Sequence, residues 1–210
     1  MGIQERKLKH KESLRQTILD AAKKLFLKHG YAATSIRKIA SEIEFSPTTI
    51  YLYFKDKAEI AYALHQEGFR LLGSQFRVLE NIDNPFERLK AMGRAYIRFS
   101  LEYSDFYELM FVEKEPMQYI DNCADKDWDE GKASFETLVD NVKACQEMGY
   151  FKGLDVASVS MLAWSTLHGL CMLNIRGHLD MIKEHKDQMR HIDNILDDTF
   201  STFLKMLEKL

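Results

Sequence analysis

The sequence predicts an all-α protein, and three observations carry that prediction. Apolar residues recur at spacings of three and four over most of the 210 residues, and no stretch alternates apolar and polar residues over strand length. Helix start signals stand at the head of successive apolar stripes: a Ser, Asp or Asn cap, twice followed directly by proline. Only three prolines occur, so little interrupts these patterns. A hydrophobic share of 46% and a charged share of 29% suit an ordinary globular chain with a sizeable core.

The elements follow in order. Residues 1–12 are polar and basic; Arg6, Lys7, Lys9 and Lys11 are expected to form an arm toward phosphates or the minor groove, with a solvated tail as the alternative. Leu14, Ile18, Ala21, Ala22 and Leu25 mark a first helix, stopped by Gly30. Ile36, Ile39, Ala40 and Ile43 share one face of a second, capped by Thr34 or Ser35, with Arg37 and Lys38 opposite. Ser46 and Pro47 open a third pattern over Thr48 to Phe54, in which Ile50 and Phe54 face inward.

Asp56 caps a long pattern to Asn81 through Ile60, Leu64, Leu71, Leu72, Phe76 and Leu79, with Gly68 and Gly73 as points of bending. Asn84 and Pro85 start the next, with Phe86, Leu89, Gly93, Tyr96 and Ser100 inward. Ser104 caps another over Phe106, Leu109, Met110 and Val112. Glu115 to Asp127 contains Pro116 without a clear period and is expected to be a loop. Phe135, Leu138, Val139, Val142 and Cys145 mark a helix closed by Gly149.

Val156 to Ile175 is 20 residues without Lys, Arg, Asp or Glu, long enough to span a bilayer. Its content of Ser158, Ser160, Ser165, Thr166, His168 and Asn174 argues for burial in protein and against membrane insertion. The last stripe, Ile192, Leu196, Phe200, Phe203, Leu207 and Leu210, suits an internal core or a partner helix.

Ala33 to Lys57 therefore predicts two short helices joined by a tight turn, the layout of a helix-turn-helix. Thr48 and Thr49 stand where base edges come within reach, and Tyr51, Tyr53, Lys55 and Lys57 offer donors to phosphates. A polar-faced helical hairpin is the plainer reading of the same spacing. Charge favours the first: residues 1–65 hold 12 Lys+Arg against 7 Asp+Glu, a net of +5, and residues 66–210 hold 17 against 25, a net of −8.

From Leu14 to about Leu64 the chain resembles the DNA-binding domain of the TetR family of transcriptional regulators. The matching residues are Ile18, Ala21, Ala22, Leu25, Phe26, Gly30, Thr34, Ile39, Ala40, Ser46, Ile50, Tyr51, Tyr53, Phe54 and Lys57. Glu44 departs from the usual turn glycine, and Thr48 from a usual small residue. The resemblance implies a helix-turn-helix domain over 1–55 and a helical effector-binding and dimerisation domain over 56–210. Its DNA-contacting set would be Thr34, Ser35, Arg37, Ser46, Pro47, Thr48, Thr49, Tyr51, Tyr53, Lys55 and Lys57.

The same resemblance implies a homodimeric repressor that leaves a palindromic operator when a small molecule binds, and the unpaired cysteine pattern implies a cytoplasmic location. The last two helices would form the dimer seam through Leu167, Leu170, Leu196, Phe200, Phe203 and Leu207. Aromatic and methionine residues of the second domain are expected mostly in its core. Some would line a cavity for a largely apolar effector: Phe99, Tyr103, Tyr107, Met110, Phe111, Phe135, Met161, Trp164 and His168. The segment Trp164 to Leu170, WSTLHGL, resembles a carboxy-terminal subgroup of the family.

No catalytic constellation stands out: the chain lacks GxGxxG, P-loop, HExxH and GxSxG patterns. His168 and His178 have no carboxylate at ligand spacing, and Asp125, Asp127, Asp129 and Glu130 lack the glycine and distal glutamate of a calcium loop. No metal or cofactor is expected. Cys123, Cys145 and Cys171 read as reduced thiols, and the first residues lack the apolar core of a signal peptide. Two other functions stay open, an all-α ligand-binding or scaffold protein whose helix-turn-helix meets protein, and a small helical enzyme using the aromatic cavity.

Overall fold

The structure, a computed structural model, describes residues 2–121, 128–185 and 194–210, apart from the side chains of Ile3, Lys7 and His185. Among the described residues the chain is helical, without a strand: α1 (Ile3–His29), α2 (Ile36–Glu42), α3 (Pro47–Tyr51), α4 (Lys57–Val78), α5 (Pro85–Glu102), α6 (Ser104–Phe111), α7 (Glu115–Asp121), α8 (Asp129–Glu147), α9 (Val156–Ile175), α10 (His178–His185) and α11 (Ile195–Leu207). A short 3-10 turn, Leu79–Asn81, follows α4. Packing divides the chain into two compact units, Met1–Phe69 with Asp105–Trp128, and Arg70–Ser104 with Asp129–Leu210.

In the first unit α1 buries Ile18, Leu19, Ala21, Ala22, Leu25 and Phe26 on one face. It ends where Gly30 takes φ 80°, a backbone region open to glycine. α1 begins at Ile3, so the expected separate arm is instead its opening turns; Arg6, Lys9 and Lys11 are exposed along it, and the Lys7 side chain lies outside the described residues. Asp56 caps α4 by accepting from the Glu59 N–H at 2.8 Å, and Glu59 accepts from the Lys55 N–H at 2.6 Å. α4 is assigned as one helix through both Gly68 and Gly73. At Gly68 the reason for glycine is close approach, since a Cβ there would stand 2.5 Å from Met110 Sδ.

The expected loop over Glu115 to Asp127 begins as a helix. Pro116 sits in the first turn of α7, where its missing N–H has no helical partner to lose, and it is buried together with Tyr119. Residues 122–127, with Cys123, Asp125 and Asp127, lie outside the described residues.

In the second unit Phe86, Leu89, Met92, Gly93, Tyr96, Ile97, Phe99 and Ser100 form the buried face of α5. α5 packs on α8 and α9, and α9 also meets α10 and α11. α8 closes in a left-handed turn: the Tyr150 N–H donates to Cys145 O and the Gly149 N–H to Gln146 O, with Gly149 at φ 94°. Phe151 follows at φ 53°, fully buried, and its carbonyl is tied by Gln146 Nε2 at 3.1 Å. Burial pushes the Cys145 thiol up to about 11, so it packs as a neutral group.

α9 matches the charge-free window residue for residue and is long and apolar enough to cross a membrane. The expected burial in protein holds for one side, where Val159, Ser160, Ala163, Leu167, Leu170 and Cys171 face inward, while Met161, Leu162 and Leu173 are exposed. In α11 the buried residues are Ile195, Leu196, Phe200, Leu204 and Leu207; Leu210 is exposed and Ile192 lies outside the described residues.

Candidate nucleic-acid interface

Ser35 accepts from the Lys38 N–H at 3.3 Å and starts α2, whose Ile36, Ile39 and Ala40 turn inward while Arg37 and Lys38 stay exposed. Ser46 accepts from the Thr49 N–H at 3.2 Å, and with Pro47 behind it starts α3. Its hydroxyl also lies 2.9 Å from that of Thr49. α3 is one residue longer than a single turn and ends at Tyr51; Tyr53 and Phe54 then donate their N–H groups to Ile50 O. Ile50 and Phe54 are buried, so the opposite side carries Thr48, Tyr51 and Leu52, the last two 56% and 74% exposed.

The turn between them is decided by Glu44. The Phe45 N–H donates to Ala40 O at 2.9 Å and the Glu44 N–H to Ser41 O at 3.3 Å, the two bonds of a Schellman end. That end needs a left-handed residue, and Glu44 takes φ 59°. The same turn usual with glycine is therefore made with a side chain, at a cost of about 1–2 kcal/mol. Glu44→Gly is expected to raise stability by roughly 0.5–1 kcal/mol once glycine's extra unfolded entropy is subtracted. A melting temperature at or below that of the parent would contradict this.

Two expected DNA contacts have other duties. Thr34 is 2% exposed, and its hydroxyl donates within the unit toward Gly30 O (3.0 Å) and Leu25 O (3.2 Å). It holds the α1–α2 turn and has no surface to offer a duplex. Lys57 Nζ donates to Tyr31 O at 2.6 Å and Thr34 O at 2.8 Å and lies 3.9 Å from the centre of the Tyr31 ring. Burial lowers its pKa, against which the Glu115 carboxylate acts. Ser35, Arg37, Ser46, Thr48, Tyr51 and Lys55 are exposed, and Pro47, Thr49 and Tyr53 are partly so. Leu52 was missed because an exposed apolar residue carries no sequence signal of its own.

Residues 18–64 match the family model described as bacterial regulatory proteins, tetR family, and residues 89–197 match that of the tetracyclin repressor-like C-terminal domain. The chain belongs to the TetR family. A relative named HTH-type transcriptional regulator HbdR, from Aromatoleum sp. (strain CIB), is 37% identical over 79 residues, 37% of this chain and 34% of that protein. The fatty acid metabolism regulator protein of Bacillus subtilis (strain 168) is 37% identical over 103 residues, 49% of this chain and 48% of that one. The chain thus spans half or less of the length of these relatives.

Among solved structures, the fatty acid degradation regulator FadR from Bacillus halodurans superposes with a TM-score of 0.71 at 19% identity, covering 92% of this chain and 93% of that one. AibR in complex with isovaleryl coenzyme A and operator DNA gives 0.62 at 18% identity, covering 92% and 97%. At these identities the likeness concerns the fold.

The nine residues expected around an effector divide between the units. Tyr107, Met110 and Phe111 belong to the first, where Tyr107 meets Phe111 at 4.8 Å between ring centres. Phe99, Tyr103, Phe135, Met161, Trp164 and His168 belong to the second; Phe99 and Tyr103 lie 5.5 Å apart, and Met161 is exposed. There Trp164 Nε1 donates to Tyr96 Oη at 3.2 Å, Tyr96 Oη lies 3.1 Å from His168 Nδ1, and Phe135 meets Trp164 at 5.7 Å. Burial holds the His168 imidazole below its ordinary pKa. Tyr96, placed in the sequence as a core position of its helix, is the hinge of this polar group.

The seam assigned to dimerisation in TetR-like chains needs correction. Leu167, Leu170, Leu196, Phe200 and Leu207 are buried within the single chain, and Phe203 is partly so. Phe200 and Leu167 fill the space left by Gly93, where a Cβ would stand 2.7 Å from the Phe200 ring and 3.3 Å from Leu167 Cδ1. Spacings of three and four suit an internal partner as well as an external one, and here Phe200 and Leu167 meet α5 at Gly93.

Proposed function

We propose that the chain is a sequence-specific, DNA-binding transcriptional regulator, a cytoplasmic homodimer that represses by occupying a palindromic operator. The observation that carries this is the α2–α3 pair: Ile50 and Phe54 fix α3 from within, and Thr48, Tyr51 and Leu52 stand on its open side beside Thr49. Residues 1–55 are the reading part and 56–210 the effector and dimer part. Two copies would set their α3 helices in successive major grooves about 34–36 Å apart. The exposed apolar side of α9, with Met161, Leu162 and Leu173, is the surface we assign to the partner copy.

A small, largely apolar effector bound to the second part would release the operator, and the Tyr96, Trp164 and His168 group would orient its polar end. The printed names of the relatives, a fatty acid metabolism regulator and a structure holding isovaleryl coenzyme A with operator DNA, support an acyl-type ligand. Differential affinity for the free and DNA-bound states of about 1–3 kcal/mol changes occupancy roughly 5- to 150-fold.

Selection from random duplexes tests the reading. The parent chain should enrich one palindrome, and Thr49→Ala should relax or change the preference at one position in each half, costing about 1–3 kcal/mol on the parent site. An unaltered preference in the variant removes Thr49 from base reading. No enrichment by the parent, with only salt-sensitive bulk binding, overturns the proposal.

A further inference from the structure

Leu52, at the end of the reading helix, is 74% exposed, more than any other large apolar side chain among the described residues. Single exposed leucines are common, so exposure alone decides nothing. Its direction decides. Leu52 takes φ −73° and ψ −15°, so it continues the turn of α3, and its N–H donates to Thr49 O at 3.2 Å. Ile50 and Phe54, buried before and after it, fix the rotation of the helix. At about 100° per residue, Thr48 and Leu52 lie about 160° to either side of Ile50, and Thr49 and Tyr51 about 100°. The two residues that point most directly away from the core are therefore Thr48 and Leu52, one turn apart on a single face.

The positions to the sides carry polar groups: the Tyr51 side chain, 56% exposed, and the Thr49 hydroxyl, 2.9 Å from that of Ser46. Arg37 of α2 and Lys55 after α3 are exposed and suit phosphates. Leu52 has no side-chain donor or acceptor, so it serves neither a phosphate nor a polar base edge. Of the groups that base pairs present in the major groove, one is apolar, the C5-methyl of thymine. We infer, on the DNA-binding reading above, that Leu52 reads the C5-methyl group of a thymine in each half of the operator, with the Thr48 methyl beside it. The contact disfavours cytosine at that position without any hydrogen bond. Cytosine bears no methyl, and its amino group would lose water against a leucine.

The test uses the full chain and the palindrome that it selects from random duplexes, with each thymine replaced in turn, in both halves, by deoxyuridine, which removes the methyl and nothing else. One such replacement should weaken binding about 10- to 20-fold, from about fourfold for a methyl-sized contact in each half. Leu52→Ala should bind the unmodified duplex more weakly by a similar factor and should not distinguish it from that deoxyuridine duplex. Because no phosphate contact is lost, the variant should keep the parent's salt slope. A selected palindrome without thymine overturns the inference, as does equal affinity of the parent for every deoxyuridine duplex. So does a deoxyuridine loss that Leu52→Ala leaves as large as in the parent, or a lowered salt slope in the variant. A parent that selects a palindrome and fails in one of these ways loses the Leu52 contact alone; a parent that selects none fails on the regulator reading itself.

Discussion

Lys57→Ala is expected to destabilise the first unit by about 2–4 kcal/mol and to weaken duplex binding without changing its dependence on salt. The ammonium bonds two backbone carbonyls, Tyr31 O at 2.6 Å and Thr34 O at 2.8 Å, and covers the Tyr31 ring at 3.9 Å. Hydrogen bonds to charged groups are worth about 1.5–3 kcal/mol each, and partial exposure of the site lets water replace part of that. These carbonyls flank the α1–α2 turn that Thr34 braces from inside, so α2 loses its anchor when the ammonium is removed. A lysine that contacted a phosphate would behave differently, because losing it lowers the salt slope by about 0.9. Denaturation of the variant and a salt titration of its duplex binding give the two numbers. A stable variant with a lower slope would return Lys57 to the phosphate-contacting set that the sequence suggests.

Phe86→Ala is expected to cost the second unit about 3–5 kcal/mol, the usual range for deleting a buried aromatic ring. Phe86 is buried among Leu89, Val142, Cys145, Phe151, Val159 and Leu207, and it stacks on Tyr150 at 4.4 Å with planes 6° apart. It joins the start of α5 to the left-handed turn after α8, where Phe151 holds φ 53° only because packing and Gln146 over-determine it. Without the ring that turn loses its cover, and the loss exceeds the transfer free energy of the side chain alone. Urea unfolding followed by Trp164 fluorescence measures it, with Phe86→Leu expected at less than half the effect. A loss below about 1 kcal/mol would mean that the turn holds itself.

Much of this was legible because it is local. Ser46 and Pro47, Asn84 and Pro85, and the acidic cap at Asp56 begin helices in the structure as they do in the sequence, since a cap and its N–H partner are three residues apart. The inward faces of α1, α2 and α5 follow from spacing for the same reason. α7 was missed because Pro116 was taken as a breaker when it sits in a first turn, where proline is tolerated. The division of roles within the reading head was less visible. Thr34, Lys57 and Thr49 are alike as polar residues in a string; burial sets Thr34 apart as a turn brace, and bonds to Tyr31 O and Thr34 O set Lys57 apart as a carbonyl clamp, while Thr49 stays partly exposed at the start of α3.

The sequence by itself determined the all-helical class and the helix-turn-helix layout, because periodicity, caps and charge are properties of neighbours along the chain; the family came from the resemblance over Leu14 to Leu64. Only the tertiary structure decided that Glu44 makes the turn with a left-handed backbone, and that the Leu167 and Phe200 seam is taken up by Gly93 of α5 inside one copy. The physical reason is common to both. A spacing states which residues share a face, whereas what that face meets depends on contacts between residues far apart in the chain.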